Sequence, residues 1–362
     1  MPSKPKSAAR KKRKSSSGGA LKKTLIALAV VLALSLGAAS WYFYQKAFRS
    51  NTLSEALLDD PFVYIRNADT FDDVVAQLKS RGLLRDIESF RWLAEFLEYD
   101  KQVRPGRYRL SKGMSNKDLV LLLRSGRQEP LRITYRSIRT LEEFCGKTGA
   151  LLEADSASLM EVFSSADFFD KYGLNRRNAL SLILPDTYEF YWNTGADDFV
   201  DKMGQYYLKF WNEERKALAA SMGLSRAEVA VLTSIVQQES SKPDEWPVIA
   251  GVYLNRYRKG MKLQADPTVV FANNDFSIRR VRAKHLSVDS PYNTYKYAGL
   301  PPGPIYLPSK ACLDAVLRAD SHSYFYFCAR PDGSGYHDFA KTFEEHLRNA
   351  RQYQKRLNER GI

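Results

Sequence analysis

The sequence predicts an α+β protein with a single N-terminal transmembrane helix, a small α+β module and a larger α+β domain. The helix is predicted because residues 24–44 carry no charge. At about 1.5 Å per helical residue they span about 30 Å, the thickness of one hydrocarbon core. The two folded parts are predicted because strand-type runs alternate with helix-type apolar spacing through residues 61–362.

A cleaved secretory signal is the alternative for this apolar segment, because Ala38, Ala39 and Ser40 are small residues of the kind found at cleavage sites. However, the segment is longer than the ~7–15 apolar residues of a signal core. Its last four residues, 41–44, are aromatic, which is typical of a membrane interface. We therefore expect an uncleaved anchor.

Residues 1–23 are predicted to be a basic cytoplasmic tail. They hold nine Lys or Arg residues and no Asp or Glu, so the positive-inside rule places the tail in the cytoplasm and the remainder outside, in the periplasm or its equivalent. Without those nine charges the formal net charge of +14 falls to +5. The run Lys11–Lys14 could alternatively bind nucleic acid, but its position before a membrane span favours contact with anionic lipid. No nucleic-acid partner is expected.

Residues 45–60 are predicted to be a polar tether, and residues 61–130 the small module. No catalytic motif occurs in the module. Its apolar spacing and cap residues predict, in order, a strand at 62–65, helices at about 71–78 and 90–97, a strand at 106–110 and a helix that begins after Ser115.

The larger domain is predicted over residues 131–362. It opens with a strand at 131–135 and a helical segment that continues to Phe163. From residue 182 to residue 346 the sequence becomes dense in aromatic residues, prolines and glycines interleaved with polar residues. A functional site is expected in that stretch.

Glu239 is the first candidate for chemistry. Ser225 and Glu228 have the spacing of a capping box before an apolar run, so a helix should begin there. At 100° per residue, Glu239 falls on the apolar side with Ile235, opposite Ser234. A carboxyl group directed at the interior has a raised pKa and can donate a proton near neutral pH. The alternatives are that the helix ends by Glu239 and the side chain turns to solvent, or that it pairs with a buried arginine.

Three further segments surround this helix in the sequence. A second helix is expected from Pro247 to a stop at Gly260, followed by a polar turn at 263–268. Residues 290–295 and 299–304 predict rigid loops with aromatic side chains, of the kind that line sugar sites. Such loops can equally be well-packed turns.

Several long motifs occur in one order and spacing. They are ILPDTYEF at 183–190, QQES around Glu239, GVYLNRYRKGMKLQADPTV at 251–269, SPYNTY at 290–295, GLPPGPI at 299–305 and HDFAKTFEEH at 337–346. Together they resemble the MltG (YceG-like) family of endolytic murein transglycosylases. The resemblance is strong over residues 182–346 and looser back to residue 61.

The resemblance implies a fold and an activity. It implies a LysM-like module at 61–130 and a YceG-like catalytic domain at 131–362. The implied enzyme is a lytic transglycosylase that cleaves peptidoglycan glycan strands between N-acetylmuramic acid and N-acetylglucosamine without water, leaving 1,6-anhydromuramyl ends. Its partners would be the glycan strands, the bilayer of the inner (cytoplasmic) membrane and, in addition, cell-wall synthases.

The resemblance also assigns residues. It places the catalytic glutamate at Glu239, in agreement with the helical-face argument. The positions that match the family motifs and are expected to shape the cleft and bind substrate are Asn255, Gln264, Asp266, Tyr292, Asn293 and Tyr295. No cofactor and no metal are expected, because the four histidines have no ligand spacing.

A single glutamate suffices for this reaction. A typical glycosidase uses two carboxyl groups. In a lytic transglycosylase the muramyl 6-hydroxyl is the nucleophile, so one glutamate can protonate the leaving oxygen and then deprotonate that hydroxyl. If a second carboxylate takes part, Glu245 or Asp266 is the candidate and the reaction would be muramidase-type hydrolysis. A non-catalytic peptidoglycan-binding or division-scaffold protein is the other alternative.

Two departures from the family pattern are present. Gln237 stands where the family often has an acidic residue, and Arg136-Ser137 stand where it usually has Glu-Gly. Separately, the three cysteines are too few for a disulfide framework. Cys312 and Cys328 could pair in an oxidising compartment, but free thiols are expected.

Overall fold

The computed structural model describes Met1, residues 17–53, Glu55 and residues 57–359. Most of the predicted basic tail therefore lies outside the described residues. The chain divides into two compact units, Met1–Glu129 and Pro130–Ile362. Both contain helices and strands, which confirms the predicted mixed character of the fold.

The first unit begins with α1 (Ser17–Phe48), which extends beyond the predicted 24–44 segment at both ends. Within it, Leu21–Phe48 is the one helix among the described residues that is long and apolar enough by itself to cross a membrane. Its side chains are exposed from residue 21 to residue 42, whereas Ala47 is buried and the ring of Phe43 packs edge-on against those of Trp92 and Phe96. Exposed apolar surface all around a helix is what a bilayer would cover.

The polar tether predicted at 45–60 is wrong for its first part. Residues 45–48 belong to α1, and Asn51 and Thr52 are only 5% and 4% exposed. The Asn51 amide donates to Asn116 Oδ1 at 2.7 Å, and the Thr52 hydroxyl donates to the carbonyl of Ser111 at 2.9 Å. Because these partners satisfy the polar groups, polar residues can be buried here.

The small module follows the predicted order. Its elements are β1 (Phe62–Ile65), α2 (Phe71–Ser80), α3 (Ile87–Phe96), β2 (Gly106–Arg109) and α4 (Asn116–Ser125). The strands pair antiparallel, from Phe62 opposite Arg109 to Ile65 opposite Gly106. Capping boxes at Thr70 and Ser115 begin α2 and α4.

The second unit carries two antiparallel strand pairs and a group of packed helices. Its strands are β3 (Leu131–Thr134) with β4 (Thr187–Phe190) and β5 (Tyr326–Ala329) with β6 (His337–Ala340). Its helices are α5 (Leu141–Gly149), α6 (Ser156–Ser164), α7 (Ala166–Tyr172), α8 (Ala196–Phe210), α9 (Glu213–Met222), α10 (Arg226–Glu239), α11 (Trp246–Arg258), α12 (Asp266–Ala272), α13 (Ala283–Leu286), α14 (Lys310–Leu317) and α15 (Phe343–Glu359).

Helix α10 is the centre of this unit. It begins at the predicted capping box, in which Ser225 accepts from the backbone of Glu228 and Glu228 accepts from the backbone of Ser225. All eight residues from Val229 to Val236 are buried. The prediction of a polar face on the Ser234 side is therefore wrong, because Ser234 is fully buried and its hydroxyl accepts from the backbone N–H of Ile305 at 3.0 Å.

Two other local predictions need correction. The helical segment predicted to continue to Phe163 is divided into α5 and α6. The segment predicted as a polar turn at 263–268 is helical from Asp266 onward. Pro267 is tolerated there because it lies in the first turn, where a backbone N–H has no carbonyl partner within the helix. All three cysteines are free thiols, as expected, and Cys145 and Cys312 are buried.

We predict that Ser137→Gly stabilises the protein. Ser137 has φ +54°, a left-handed conformation that costs a side chain about 1–2 kcal/mol. Glycine relieves this strain but adds freedom to the unfolded chain, so the free energy of unfolding should rise by about 0.5–1 kcal/mol. Chemical denaturation of the full chain in detergent micelles measures the change. Arg136→Gly is the matched control at a residue without positive φ, and it should destabilise; equal effects of the two changes would contradict the strain argument.

Candidate active site

Glu239 is the last residue of α10. The helix does end there, as one alternative required, because Ser240 adopts an extended conformation with φ −134° and ψ 134°. The Glu239 side chain nevertheless remains in contact with protein. Its Oε1 accepts a hydrogen bond of 2.7 Å from the hydroxyl of Tyr253. Part of the side chain is accessible from a cleft.

Burial raises the pKa of Glu239 to about 7. The hydrogen bond from Tyr253 acts in the opposite direction because it stabilises the carboxylate, whereas the negative charge of Asp266 raises the pKa further. The positive charge of Arg256 lowers it. The result is a carboxyl group that can exchange a proton at neutral pH, as general acid-base chemistry requires.

Tyr253 and Arg256 both come from α11, where a spacing of three residues places them on one side of the helix. Both are buried. The Arg256 guanidinium donates to the carbonyl of Phe325 at 2.6 Å, to the carbonyl of Leu263 at 2.7 Å and to Oε1 of Gln264 at 3.3 Å. Arg256 therefore holds two segments beside α11 while its charge acts on Glu239.

Glu239 opens onto a cleft of about 670 Å³, within the ~300–1,000 Å³ usual for ligand sites. Asp266 lies in the same cleft, and its Oδ1 accepts a hydrogen bond of 2.6 Å from the hydroxyl of Tyr295. The other lining residues are Arg139, Gln238, Pro267, Val270, Phe276, Ile278, Arg279, Arg280, Val281, Tyr353 and Gln354.

Gln264 stands at the edge of this group. Its backbone has φ +55°, and its N–H donates to the carbonyl of Thr294 at 3.2 Å. Its side chain is exposed and accepts from Arg256. Gln264 thus connects α11 to the 290–295 loop beside Asp266, and a left-handed non-glycine residue at such a position is a feature often associated with function.

Two of the predicted substrate-binding residues, Asn255 and Asn293, donate hydrogen bonds to backbone carbonyls. The Asn255 amide donates to the carbonyls of His322 and Tyr324 at 2.8 and 3.0 Å. Asn293 is fully buried and donates to the carbonyls of Leu286 and Val288 at 3.0 and 2.8 Å. Neither side chain lines the Glu239 cleft.

Tyr292 lies at a second, smaller cavity of about 320 Å³. Its ring packs on Phe271 with centroids 4.6 Å apart. Arg139 lines both this cavity and the cleft of Glu239, and Arg177 lines the smaller one. Arg139 thus belongs to the walls of both cavities.

Glu245, the alternative second carboxylate, is only 5% exposed. It accepts from the hydroxyl of Ser240 at 2.8 Å and from the backbone N–H of His337 at 2.7 Å, and its Oε2 lies 2.9 Å from His337 Nδ1. It does not line the cleft. Glu245 thereby links Ser240, the residue that follows Glu239, to His337 in strand β6.

Gln237, the departure from the family pattern next to the site, also has a structural contact. Its Oε1 accepts from the backbone N–H of Ser309, the N-cap of α14, at 2.8 Å. A carboxylate could accept the same bond. Over the described ranges, no group of three His, Cys, Asp or Glu side chains is arranged to hold a metal ion.

Sequence reasoning missed Tyr253 and the arginines of the cleft. Tyr253 stands within the GVYLNRYR motif, three residues before Arg256. A helical projection of that motif would have paired the two residues, but nothing local says that this face of α11 meets Glu239. Arg139, Arg279 and Arg280 lie in segments without a recognised motif.

Residues 63–352 match the model of the YceG-like family. This match covers most of the chain. The chain belongs to the YceG-like family. The sequence-based resemblance is thereby confirmed.

Two curated relatives and one solved structure extend the comparison. The chain is 26% identical to the endolytic murein transglycosylase of Bacillus subtilis (strain 168), over 82% of this chain and 86% of that one. It is 26% identical to the endolytic murein transglycosylase of Streptococcus pneumoniae serotype 2 (strain D39), over 92% of this chain but only 65% of that one. A crystal structure of a putative YceG-like protein from Listeria monocytogenes matches with TM-score 0.52 and 25% identity, covering 79% of this chain and 98% of that one.

The raised pKa of Glu239 predicts a pH-dependent stability. Its folded-state pKa of about 7 exceeds the ordinary 4.5, so the folded protein binds this proton more tightly than the unfolded chain does. The resulting stabilisation is full below pH 4.5 and is lost as the pH rises to about 7. Relative to Glu239→Gln, the wild type should lose up to about 3 kcal/mol between these limits.

The measurement is the free energy of unfolding of both proteins in detergent micelles across this pH range. Glu344→Gln is the matched control, because the Glu344 side chain is 84% exposed. Its curve should run parallel to that of the wild type. A constant difference between wild type and Glu239→Gln would show that the pKa of Glu239 is not raised.

Proposed function

We propose that the protein is an endolytic lytic transglycosylase of peptidoglycan. It cleaves glycan strands between N-acetylmuramic acid and N-acetylglucosamine and leaves 1,6-anhydromuramyl ends. The observation that carries this proposal is Glu239, a carboxyl group of pKa about 7 that opens onto a cleft of about 670 Å³. Membership of the YceG-like family and the two relatives named as endolytic murein transglycosylases support it.

In this mechanism Glu239 begins as a protonated acid. It gives its proton to the glycosidic oxygen as the bond from that oxygen to the muramyl C1 breaks. The muramyl 6-hydroxyl then bonds to C1, and the carboxylate of Glu239 accepts the hydroxyl proton. The residue returns to its starting state and no water is consumed. Tyr253 orients the carboxyl group by the bond to Oε1 and stabilises its charged form between the two steps.

The shape of the site supports internal cleavage. The cleft is open to solvent, and Arg139 lines both it and the smaller cavity at Tyr292. An endolytic enzyme has to hold sugars on both sides of the bond that it cuts, and two neighbouring cavities offer room for them. Aromatic rings such as Tyr292 and Phe276 are suited to packing against sugar rings.

Muramidase-type hydrolysis is the second candidate, because Asp266 shares the cleft with Glu239 and is close enough to influence its charge. Asp266 could activate a water molecule as a second carboxylate. Glu245 is the weaker candidate, since its oxygens already bind Ser240 and His337. A non-catalytic scaffold would leave the raised pKa of Glu239 without a use.

The anchor gives the proposed enzyme its location. We place α1 in the inner (cytoplasmic) membrane, with the basic tail in the cytoplasm and the catalytic domain outside. Residues 131–362 form the catalytic domain, and residues 61–130 are the LysM-like module, supported by two helices enclosed between paired strands. A catalytic domain tethered to the membrane would meet nascent strands as cell-wall synthases release them. Cleavage there would terminate strand elongation.

Glu239→Gln tests the activity itself. The full chain in detergent micelles is incubated with peptidoglycan strands, and the glycan ends are identified by mass spectrometry. The wild type should produce 1,6-anhydromuramyl ends, and the variant should lose about 10²–10⁴-fold in rate because glutamine cannot transfer the proton. Reducing ends would indicate the hydrolase, and no cleavage by the wild type would favour the scaffold.

Tyr253→Phe tests how the site sets the pKa of Glu239. Cleavage needs the protonated acid, so kcat/KM should fall as the pH rises through about 7. Removing the Tyr253 hydroxyl removes a hydrogen bond to the Glu239 carboxylate, so the pKa of Glu239 should rise. The pH at which kcat/KM falls on the alkaline side of the profile should therefore increase by roughly 0.5–1 unit.

Tyr207→Phe is the matched control, because its buried hydroxyl has no hydrogen-bond partner among the described residues. Its pH profile should coincide with that of the wild type. A shift of this fall in kcat/KM to lower pH in Tyr253→Phe would contradict the proposed role of the hydrogen bond.

A further inference from the structure

Three arginine side chains line the cleft of Glu239, and the proposed reaction gives them no task. They are Arg139, Arg279 and Arg280. None of the three forms an ion pair with any residue that the structure describes. Elsewhere many of the arginines on the surface of the second unit have a carboxylate partner, as Arg215 has in Asp314. Within the part of the chain that the structure describes, Arg279 and Arg280 therefore have no carboxylate partner, whereas the charge of Arg139 also acts on Glu143 and helps to lower the pKa of that carboxyl group.

Arg139 is held in position by aromatic rings. Its guanidinium carbon lies 4.7 Å from the ring centre of Phe276 and 5.5 Å from that of Tyr306. Such contacts restrain a guanidinium without using its N–H donors. Arg139 is half-buried, whereas Arg279 and Arg280 are exposed in the segment that follows Phe276. The three arginines thus line the side of the cleft on which Phe276 lies.

The charges of the cleft do not cancel. The three arginines face two carboxyl groups, of which Glu239 is partly protonated at neutral pH and Asp266 accepts a hydrogen bond from Tyr295. A cleft with an excess of one sign concentrates ligands of the other. The sugar rings of a glycan strand are uncharged, so they do not explain the excess. The anionic groups of peptidoglycan are the carboxylates of the short peptide on the muramyl lactyl group.

We propose that Arg139, Arg279 and Arg280 bind the carboxylates of this stem peptide and make the enzyme prefer peptide-bearing strands to bare glycan. This inference rests on the proposed function and adds the substrate feature that the site selects. Guanidinium groups suit the task because they bind carboxylates through two parallel hydrogen bonds. The preference would direct cleavage to strands whose peptides have not been removed.

The experiment compares kcat/KM of the full chain in detergent micelles on three sets of strands. The first carries intact stem peptides, and the second carries the same peptides with their carboxyl groups amidated. The third has had its peptides removed and the lactyl carboxyl groups exposed by that removal converted to amides. Amidation keeps the size of the peptide and removes its charge. The wild type should cleave the first set at least about tenfold more efficiently than the other two, and added salt should reduce this ratio.

The double variant Arg279→Gln/Arg280→Gln should lower the ratio to near one. Both side chains are exposed, so the core is unaffected, and an unchanged thermal unfolding midpoint checks this. Arg258→Gln removes an exposed arginine that is outside the cleft, and it should keep the wild-type ratio.

Three outcomes overturn the inference, and they are distinguishable. Equal wild-type cleavage of all three sets would refute carboxylate recognition and leave the transglycosylase proposal standing. No cleavage of any set by the wild type would refute both. A preference that survives in the double variant would also overturn the inference, because the charge would then be recognised elsewhere.

Discussion

The burial of α10 on all its sides is the constraint on which the candidate site depends. A helix buried around its whole circumference cannot rotate to bring a different residue to its end, so the position of Glu239 is fixed by the core. The serine in this helix does not weaken it, because the Ser234 hydroxyl accepts from the backbone of Ile305 and donates within the helix. That bond also attaches the GLPPGPI loop to the helix. Gln237 adds a second attachment, to the start of α14.

Around this fixed helix, much of the polar sequence serves to hold loops. Asn255 and Asn293 use their amides on backbone carbonyls, and Arg256 ties the residues around Leu263 and Phe325 to α11. A catalytic group must be held within a fraction of an ångström of its working position, and this requires supporting residues whose own bonds are satisfied. A motif residue can therefore be characteristic of a family and still have no contact with substrate.

The same burial accounts for the chemistry of Glu239. A carboxyl group at the end of a buried helix is removed from water on one side and open to the cleft on the other. Tyr253 and Arg256 favour its charged form, and burial together with Asp266 favours its neutral form. Because these influences oppose each other, the carboxyl group can hold a proton or release it at neutral pH. This is the property that one residue needs if it is to act as acid and then as base.

The sequence by itself determined the features that depend on neighbouring residues: the apolar span of α1, the capping box at Ser225 and most of the strands. Prediction from the sequence failed for contacts between residues that are far apart along the chain. Burial of Asn51 depends on Asn116, and the surroundings of Glu239 depend on α11 and α12. Hydrophobic period and capping act over a few residues, whereas buried polar groups take partners from distant segments. Only the tertiary structure could decide those pairings, and with them the pKa of the proposed acid.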